Sequence, residues 1–284
     1  MKMAVKELCL TQKQIDCYRT DGFLSPIRIF SKEEASRLRS ELECFEAAHG
    51  LVMGTPYRNK PHLVMTWVAK VIRNARILDA VESILGPNLL VWGTNFFVKE
   101  PYDGTFISLH QDSTYWGLSR PEVLTVWVAL SASYRSSGAM KMAPGSHKLE
   151  QLPHVDTFEE GNLLTRGQKV EHGVDENDIA WIDLAPGEAS IHHVRIIHGS
   201  EPNSSSDRRI GLAIRFVRTD VKQVNGVKDY ATLVRGRDDF QHFQHEPRPK
   251  ETLGEVEVAV HKQIAEESFK LFYQGTGREP TFDQ

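Results

Sequence analysis

The sequence predicts a mainly β protein with flanking helices, on three observations. Four runs of 8–10 residues are rich in β-branched and aromatic side chains and are bounded by Gly, Pro, Ser or Asp: 89–98 (LLVWGTNFFV), 123–130 (VLTVWVAL), 189–197 (ASIHHVRII) and 210–217 (IGLAIRFV). Helical patterns are confined to the first 86 residues and to the tail. The 284 residues, 40% apolar and 25% charged, suffice for one large core, and no repeat or break in composition divides them. The expected organisation is a single domain: a helical part over 1–86, a β core over 87–220 and a closing tail over 221–284.

The elements follow in order. Thr11 with Gln14 three residues later is a capping-box pattern, and Ile15 and Tyr18 continue a helix that Asp21-Gly22 ends. Residues 23–30, with Pro26, read as extended. Ser31 with Glu34 repeats the capping signal, and Ala35, Leu38, Leu42 and Phe45 form the apolar stripe of a second helix. A third helix is expected over 69–85, carrying Val71, Ile72, Ala75, Leu78 and Val81, stopped by Gly86-Pro87. Between the predicted strands, 151–178 reads as a polar insertion or lid. Residues 200–208 form a turn-rich loop and 220–250 an irregular charged stretch. A last helix over 254–273 carries Val258, Ile264, Phe269 and Phe272.

Charge and cysteine usage exclude several classes. Lys and Arg number 34 against 38 Asp and Glu, a net charge of −4, so no global field favours nucleic acid or an acidic membrane. No apolar run approaches the roughly 20 residues of a bilayer span, and the N-terminus turns polar too soon for a signal peptide. Cys9, Cys17 and Cys44 cannot all pair and form no Cys-x-x-Cys, which suits a reducing cytoplasm. Nothing in the sequence specifies an oligomeric state.

The sharpest local feature is Leu109-His110-Gln111-Asp112. In an extended segment positions i and i+2 share a face, so His110 and Asp112 can offer a nitrogen and an oxygen to one ion. The third ligand expected is His198, at the end of a predicted strand. Two imidazoles and a carboxylate on one face of an octahedron are the ligand set of non-haem Fe(II) oxygenases. Arg209, eleven residues after His198 and on the next predicted strand, can grip a carboxylate bidentately, with Ser200 adding a hydroxyl. A metal beside such a clamp suits a 2-oxoacid.

In combination and order, His110-x-Asp112, Pro144-Gly145-Ser146-His147, His198-Gly199-Ser200-x-x-Asn203 and Arg209 resemble the phytanoyl-CoA dioxygenase family. That family is a branch of the Fe(II)/2-oxoglutarate-dependent oxygenases. The opening helix and Asp21-Gly22-Phe23 are also similar, and the resemblance covers roughly residues 11–250. It implies a double-stranded β-helix, or jelly roll, with His110, Asp112 and His198 as iron ligands. It also implies Arg209 on the distal carboxylate of 2-oxoglutarate, helped by Ser200, with Thr125 a further candidate for that carboxylate. Asn95 and Phe97 are similar in placement to co-substrate pocket residues. Halogenases of the family replace the carboxylate with Ala or Gly; here Asp112 stands there, so the implied reaction is hydroxylation of a substrate C–H bond. It would consume O2 and release succinate and CO2.

Other residues carry looser expectations. His192 or His193 could compete as a ligand or orient one, and barrel packing is the plainer role. Tyr115 and Trp116 follow the metal motif and are expected to touch substrate, Trp127 to fill core. His147 is expected to be structural or near the substrate. Arg166, in the insertion, with Arg235, Arg237, Lys60 and His62, could hold an anionic substrate if lid and tail close. The favoured substrate is a small polar metabolite. Two rival readings are a non-catalytic jelly-roll binding protein and a zinc hydrolase using the same triad.

Overall fold

The computed structural model describes residues 8–272 except 165, 172, 173, 176, 177 and 227; the side chains of 114, 115 and 269–272 are also outside the description. Both capping boxes form as the sequence predicts. Thr11 caps α1 (Gln12–Asp21), which Gly22 ends in the left-handed conformation, and Ser31 caps α2 (Lys32–His49). After α1, β1 (Phe23–Arg28) is extended as expected. The helix expected over 69–85 is two helices, α3 (Thr66–Val71) and α4 (Ala75–Leu85). The Asn74 side chain accepts a hydrogen bond from the Arg76 N–H and starts α4 afresh, a cap that the apolar periodicity masks.

Thirteen strands follow the jelly-roll plan among the described residues. The long ones are β2 (Leu89–Lys99), β4 (Val123–Ala129), β9 (Glu188–His193) and β11 (Arg209–Arg218); they match the predicted runs except that the run expected over 189–197 ends at His193 in a turn, so that His198 opens a new strand instead of closing that one. The short ones are β3 (Ile107–His110), β5 (Met140–Met142), β8 (Ala180–Ile182) and β10 (His198–Ser200). A hairpin of β6 (His154–Asp156) and β7 (Gln168–Val170) occupies the insertion. Near the end lie β12 (Tyr230–Arg235), β13 (Gln244–His245) and α5 (Glu255–Phe272). One sheet has seven strands in the order β1-β9-β4-β11-β2-β12-β13, and the other has four in the order β3-β10-β5-β8.

Alternation along the large sheet separates structure from chemistry. Leu124, Val126 and Val128 of β4, with Ile210, Leu212, Ile214 and Phe216 of β11, are fully buried in one cluster with Leu42, Val68, Ile72, Ile77 and Val81 of the helices. Each such side chain contributes about 1.5–3 kcal/mol of burial free energy. The intervening residues, Thr125 and Trp127, then Arg209, Ala213 and Arg215, line a cavity between the two sheets. With helices on one face and the small sheet on the other, β4 is buried along its whole length, which explains a run that is apolar except for Thr125. No helix among the described residues is long and apolar enough to cross a membrane.

Candidate metal centre

β3 and β10 pair antiparallel so that His110 and His198 are direct partners. Close approach is possible because position 199 is glycine: a Cβ there would lie 2.7 Å from the Ile107 carbonyl oxygen. The imidazole centroids stand 4.3 Å apart. His110 closes β3 and Asp112 opens a 3-10 turn, so the pair is not within one strand as the alternation argument assumes. They nevertheless share a side, because Gln111 turns away. Its amide donates to the Arg195 carbonyl (2.9 Å), and its carbonyl accepts from the Leu152 N–H (2.8 Å).

One ligand atom from each of His110, Asp112 and His198 falls within 4.8 Å of the others, and all three residues are buried. Asp112 Oδ1 lies 3.3 Å from His110 Nε2 and 4.0 Å from His198 Nε2. Each histidine is turned the right way by its own backbone. His110 Nδ1 bonds the Ser108 carbonyl at 2.9 Å, and His198 Nδ1 the Ile196 carbonyl at 3.0 Å. The proton therefore sits on Nδ1, and the Nε2 lone pair faces the common point. Burial, with His110 alongside, pushes the His198 imidazole down to about 4, keeping it neutral. For Asp112, burial acts to raise the carboxyl's proton affinity. The polar imidazole of His110 beside it, with His198 and the Arg215 guanidinium, outweighs this and holds the carboxyl well below its usual range. A divalent cation could be held here.

The cavity beside this point has a volume of about 120 Å³. Arg209 is 0% exposed, and its Nε and Nη2 find no hydrogen-bond partner among the described residues. Burial pushes its guanidinium down to about 10. Its guanidinium carbon lies 5.3 Å from the centre of the Trp127 ring, which folds over Gly211, where a Cβ would sit 1.8 Å from the ring. Two orphaned donors on a buried cation are expensive, and a carboxylate would satisfy both. Next to it on β2 stands Lys99, also 0% exposed, which sequence reasoning missed because a lysine closing an apolar run reads as a strand end. Its Nζ donates to Ser200 Oγ at 2.7 Å and to the Glu201 carbonyl. Burial and the neighbouring Arg209 push this ammonium down to about 6.

The remaining predicted residues divide. Phe97, Asn95, Thr125 and Trp116 line the cavity, as do His192 and Lys60. Ser200 stands by Lys99 rather than in the cavity wall. Thr125 is in register with Arg215, six residues beyond Arg209 on β11, and its buried hydroxyl makes no hydrogen bond to Arg209. His192 packs 5.0 Å from the His198 ring without joining the three-residue group, and His193 packs tilted against His147 outside the cavity. His147 bonds the Arg19 carbonyl at 3.1 Å, beside α1 and away from the cavity. Arg166 is held by Asp156 across the hairpin, Arg235 by Asp79 and Glu82, and exposed Arg237 by Asp239. None of the three lines the cavity. Lys60 and His62 are buried on Glu246 at 2.5 and 2.8 Å, so both are committed to an internal pair. The Tyr115 side chain lies outside the described residues.

A jelly roll with a His-x-Asp and a distal His at one point, next to an orphaned buried arginine, defines a class: mononuclear non-haem iron oxygenases that take a 2-oxoacid. The sequence profile of the phytanoyl-CoA dioxygenase (PhyH) family matches residues 18–211. The chain belongs to that family, a branch of the Fe(II)/2-oxoglutarate-dependent dioxygenases. It is 30% identical over 183 residues to a protein of Stutzerimonas stutzeri named probable alpha-ketoglutarate-dependent hypophosphite dioxygenase. That match covers 62% of this chain and 63%, less than two thirds, of the relative's own length. The solved structure of a non-heme monooxygenase, ThoJ, superposes with a TM-score of 0.81 at 32% identity, over 92% of this chain and 98% of that one. CytC3, solved with Fe(II) and alpha-ketoglutarate, shares the fold at a TM-score of 0.61 and 24% identity, over 84% of this chain and 93% of its own.

Proposed function

We propose that the protein is a 2-oxoglutarate-dependent dioxygenase that hydroxylates an unactivated C–H bond of a small polar, anionic metabolite, with release of succinate and CO2. His110, Asp112 and His198 would hold the iron, and Arg209 the far carboxylate of 2-oxoglutarate. The observation that carries the reading is the pair of orphaned donors on Arg209 in the same cavity as the three convergent ligand atoms. Bound there, iron and 2-oxoglutarate supply the power to oxidise a C–H bond with O2.

The chain's own residues orient and enclose. The backbone carbonyls of Ser108 and Ile196 fix both imidazole tautomers. Arg209, supported by Trp127, sets how deep the 2-oxoacid sits, and Phe97 adds an apolar wall. Behind Arg209, Lys99 holds the Ser200 hydroxyl and buttresses this end of the pocket. Asn95 and Thr125 lie towards Arg215 and the substrate. Asp112 stands where the related halogenases carry Ala or Gly, which supports hydroxylation over halogenation. The name of the Stutzerimonas stutzeri relative, whose substrate is a small oxyanion, supports the anionic class. A zinc hydrolase would leave Arg209 without a purpose. We place the enzyme in the cytoplasm, where its three free thiols suit a reducing environment, and read the chain as one oxygenase domain.

The test is a succinate-release screen over small carboxylates, phosphonates, sulfonates and their amino derivatives, with Fe(II) and 2-oxoglutarate supplied. Substrate-stimulated succinate with an equal amount of hydroxylated product is expected. Iron-independent turnover, or turnover supported by zinc without 2-oxoglutarate, would refute the reading.

A further inference from the structure

Two arginines besides Arg209 line the cavity, Arg58 and Arg215. Arg215 lies on β11 six residues after Arg209, on the same inward face, and lines the cavity at the row of Thr125. Its guanidinium carbon stands 5.1 Å from the centre of the Trp116 ring, and Trp116 in turn packs on Trp92 at 4.9 Å. Nη1 donates to the Asn95 amide oxygen, and the Asn95 amide donates to the Asn59 amide oxygen. Nε is buried with no hydrogen-bond partner among the described residues.

Among the described residues no carboxylate pairs with Arg215. Arg58 is engaged elsewhere, its Nη2 donating to the Leu163 carbonyl at 3.1 Å. Glu246 neutralises Lys60 at 2.5 Å. Asp229 accepts from Trp92 Nε1 (2.6 Å), the Tyr230 N–H (2.8 Å) and the Ser268 hydroxyl (3.1 Å). Asp112 belongs to the metal point. Arg215 stays close enough for its charge to act on Asp112 and His198. An arginine that among the described residues has one neutral acceptor, stiffened by an aromatic face and two amides, is built to receive a planar or tetrahedral oxyanion.

Resting on the iron and 2-oxoglutarate reading above, we infer that Arg215, seated by Asn95 and Trp116, is the substrate-recognition residue, binding one oxyanionic head group (carboxylate, phosphonate or sulfonate) beside the metal point. Its Nε and Nη donors take the oxygens of that group. Asn95 holds the guanidinium in plane, and the Trp116–Trp92 pair walls the site. The substrate's anion and the distal carboxylate of 2-oxoglutarate are thereby assigned to different arginines on one strand.

The experiment is anaerobic calorimetry of the full chain loaded with Fe(II) and 2-oxoglutarate, titrated with C3–C6 alkyl carboxylates, sulfonates and phosphonates, and with the matching alcohols. At least one anion series should bind saturably and tenfold or more tighter than its alcohol. In Arg215→Gln that anion should weaken at least tenfold, towards a hundredfold, while binding of 2-oxoglutarate stays within threefold of wild type. Arg215→Lys should recover part of the loss. Asn95→Asp, which sets a carboxylate against an intact Arg215, should weaken anions by a similar factor without removing any cation.

Anion binding unchanged within threefold in Arg215→Gln would overturn the proposal. So would loss of 2-oxoglutarate binding in that variant, or no preference for any anion over its alcohol in wild type. The titration is repeated on metal-free Arg209→Met protein, from which the deep arginine is gone. Failure of wild type to bind 2-oxoglutarate therefore counts against the co-substrate reading alone, and the metal-free titration still decides for or against Arg215.

Discussion

Replacing Arg209 with Met should raise the stability of the ligand-free protein while abolishing its response to 2-oxoglutarate. Burial pushes the guanidinium from an ordinary 12.5 to about 10, and at 1.36 kcal/mol per pKa unit this cation costs the fold on the order of 3 kcal/mol. The sign is that of a cation whose folded pKa is depressed. The penalty is fully present at neutral pH and is relieved only as pH rises above about 10. Methionine removes the charge and keeps much of the apolar stem, so a net gain of about 1–3 kcal/mol is expected, or roughly 2–10 °C in Tm for a chain of this size. Against this, two charge-assisted hydrogen bonds to a carboxylate, at about 1.5–3 kcal/mol each, are lost, so 2-oxoglutarate should bind about 10²–10⁴-fold more weakly. Anaerobic thermal melts with and without Fe(II) and 2-oxoglutarate read both effects. Wild type should gain several degrees on adding 2-oxoglutarate, whereas Arg209→Met should start higher and gain nothing. A variant that melts lower without ligand and still gains with 2-oxoglutarate would refute the argument that Nε and Nη2 await a carboxylate.

Three further outcomes follow from the geometry. Gly199→Ala adds a Cβ 2.7 Å from the Ile107 carbonyl and must part β10 from β3, so metal affinity should fall at least tenfold in a competition titration although no ligand is touched. Asp112→Ala should lose Fe(II) binding by two orders of magnitude or more and retain the circular dichroism of the parent. Glu246 is buried, which raises its proton affinity, but Lys60 and His62 outweigh this and hold it at about 2. Its contribution, on the order of 3 kcal/mol, is present above pH 4.5 and is lost as pH falls towards about 2. Glu246→Gln should therefore be less stable at pH 7 in urea melts and show a flatter acid limb between those values.

Much of this fold was legible because its long strands are buried on both faces. Runs 123–130 and 210–217 are apolar apart from Thr125 and Arg215, which face the cavity, since helices cover one side and the small sheet the other. The short strands β3, β5, β8 and β10 span three or four residues and have no periodicity to read. The His110, Asp112 and His198 convergence was readable from i, i+2 alternation, although Asp112 sits in a turn and owes its direction to the burial of Gln111. Lys99 was missed because nothing in FFVKEP distinguishes an inward lysine from a solvated one. The surface cations Arg166, Arg235 and Arg237 looked free in sequence. Each is instead tied to an acid distant by ten residues or more or, for Arg237, to one on the same exposed loop.

The central claim is tested most directly by anaerobic visible spectroscopy of the full chain. Adding Fe(II) and then 2-oxoglutarate should produce a weak charge-transfer absorption that requires both and disappears in Asp112→Ala. A folded wild-type protein that gives no such absorption with both present in excess would contradict the account.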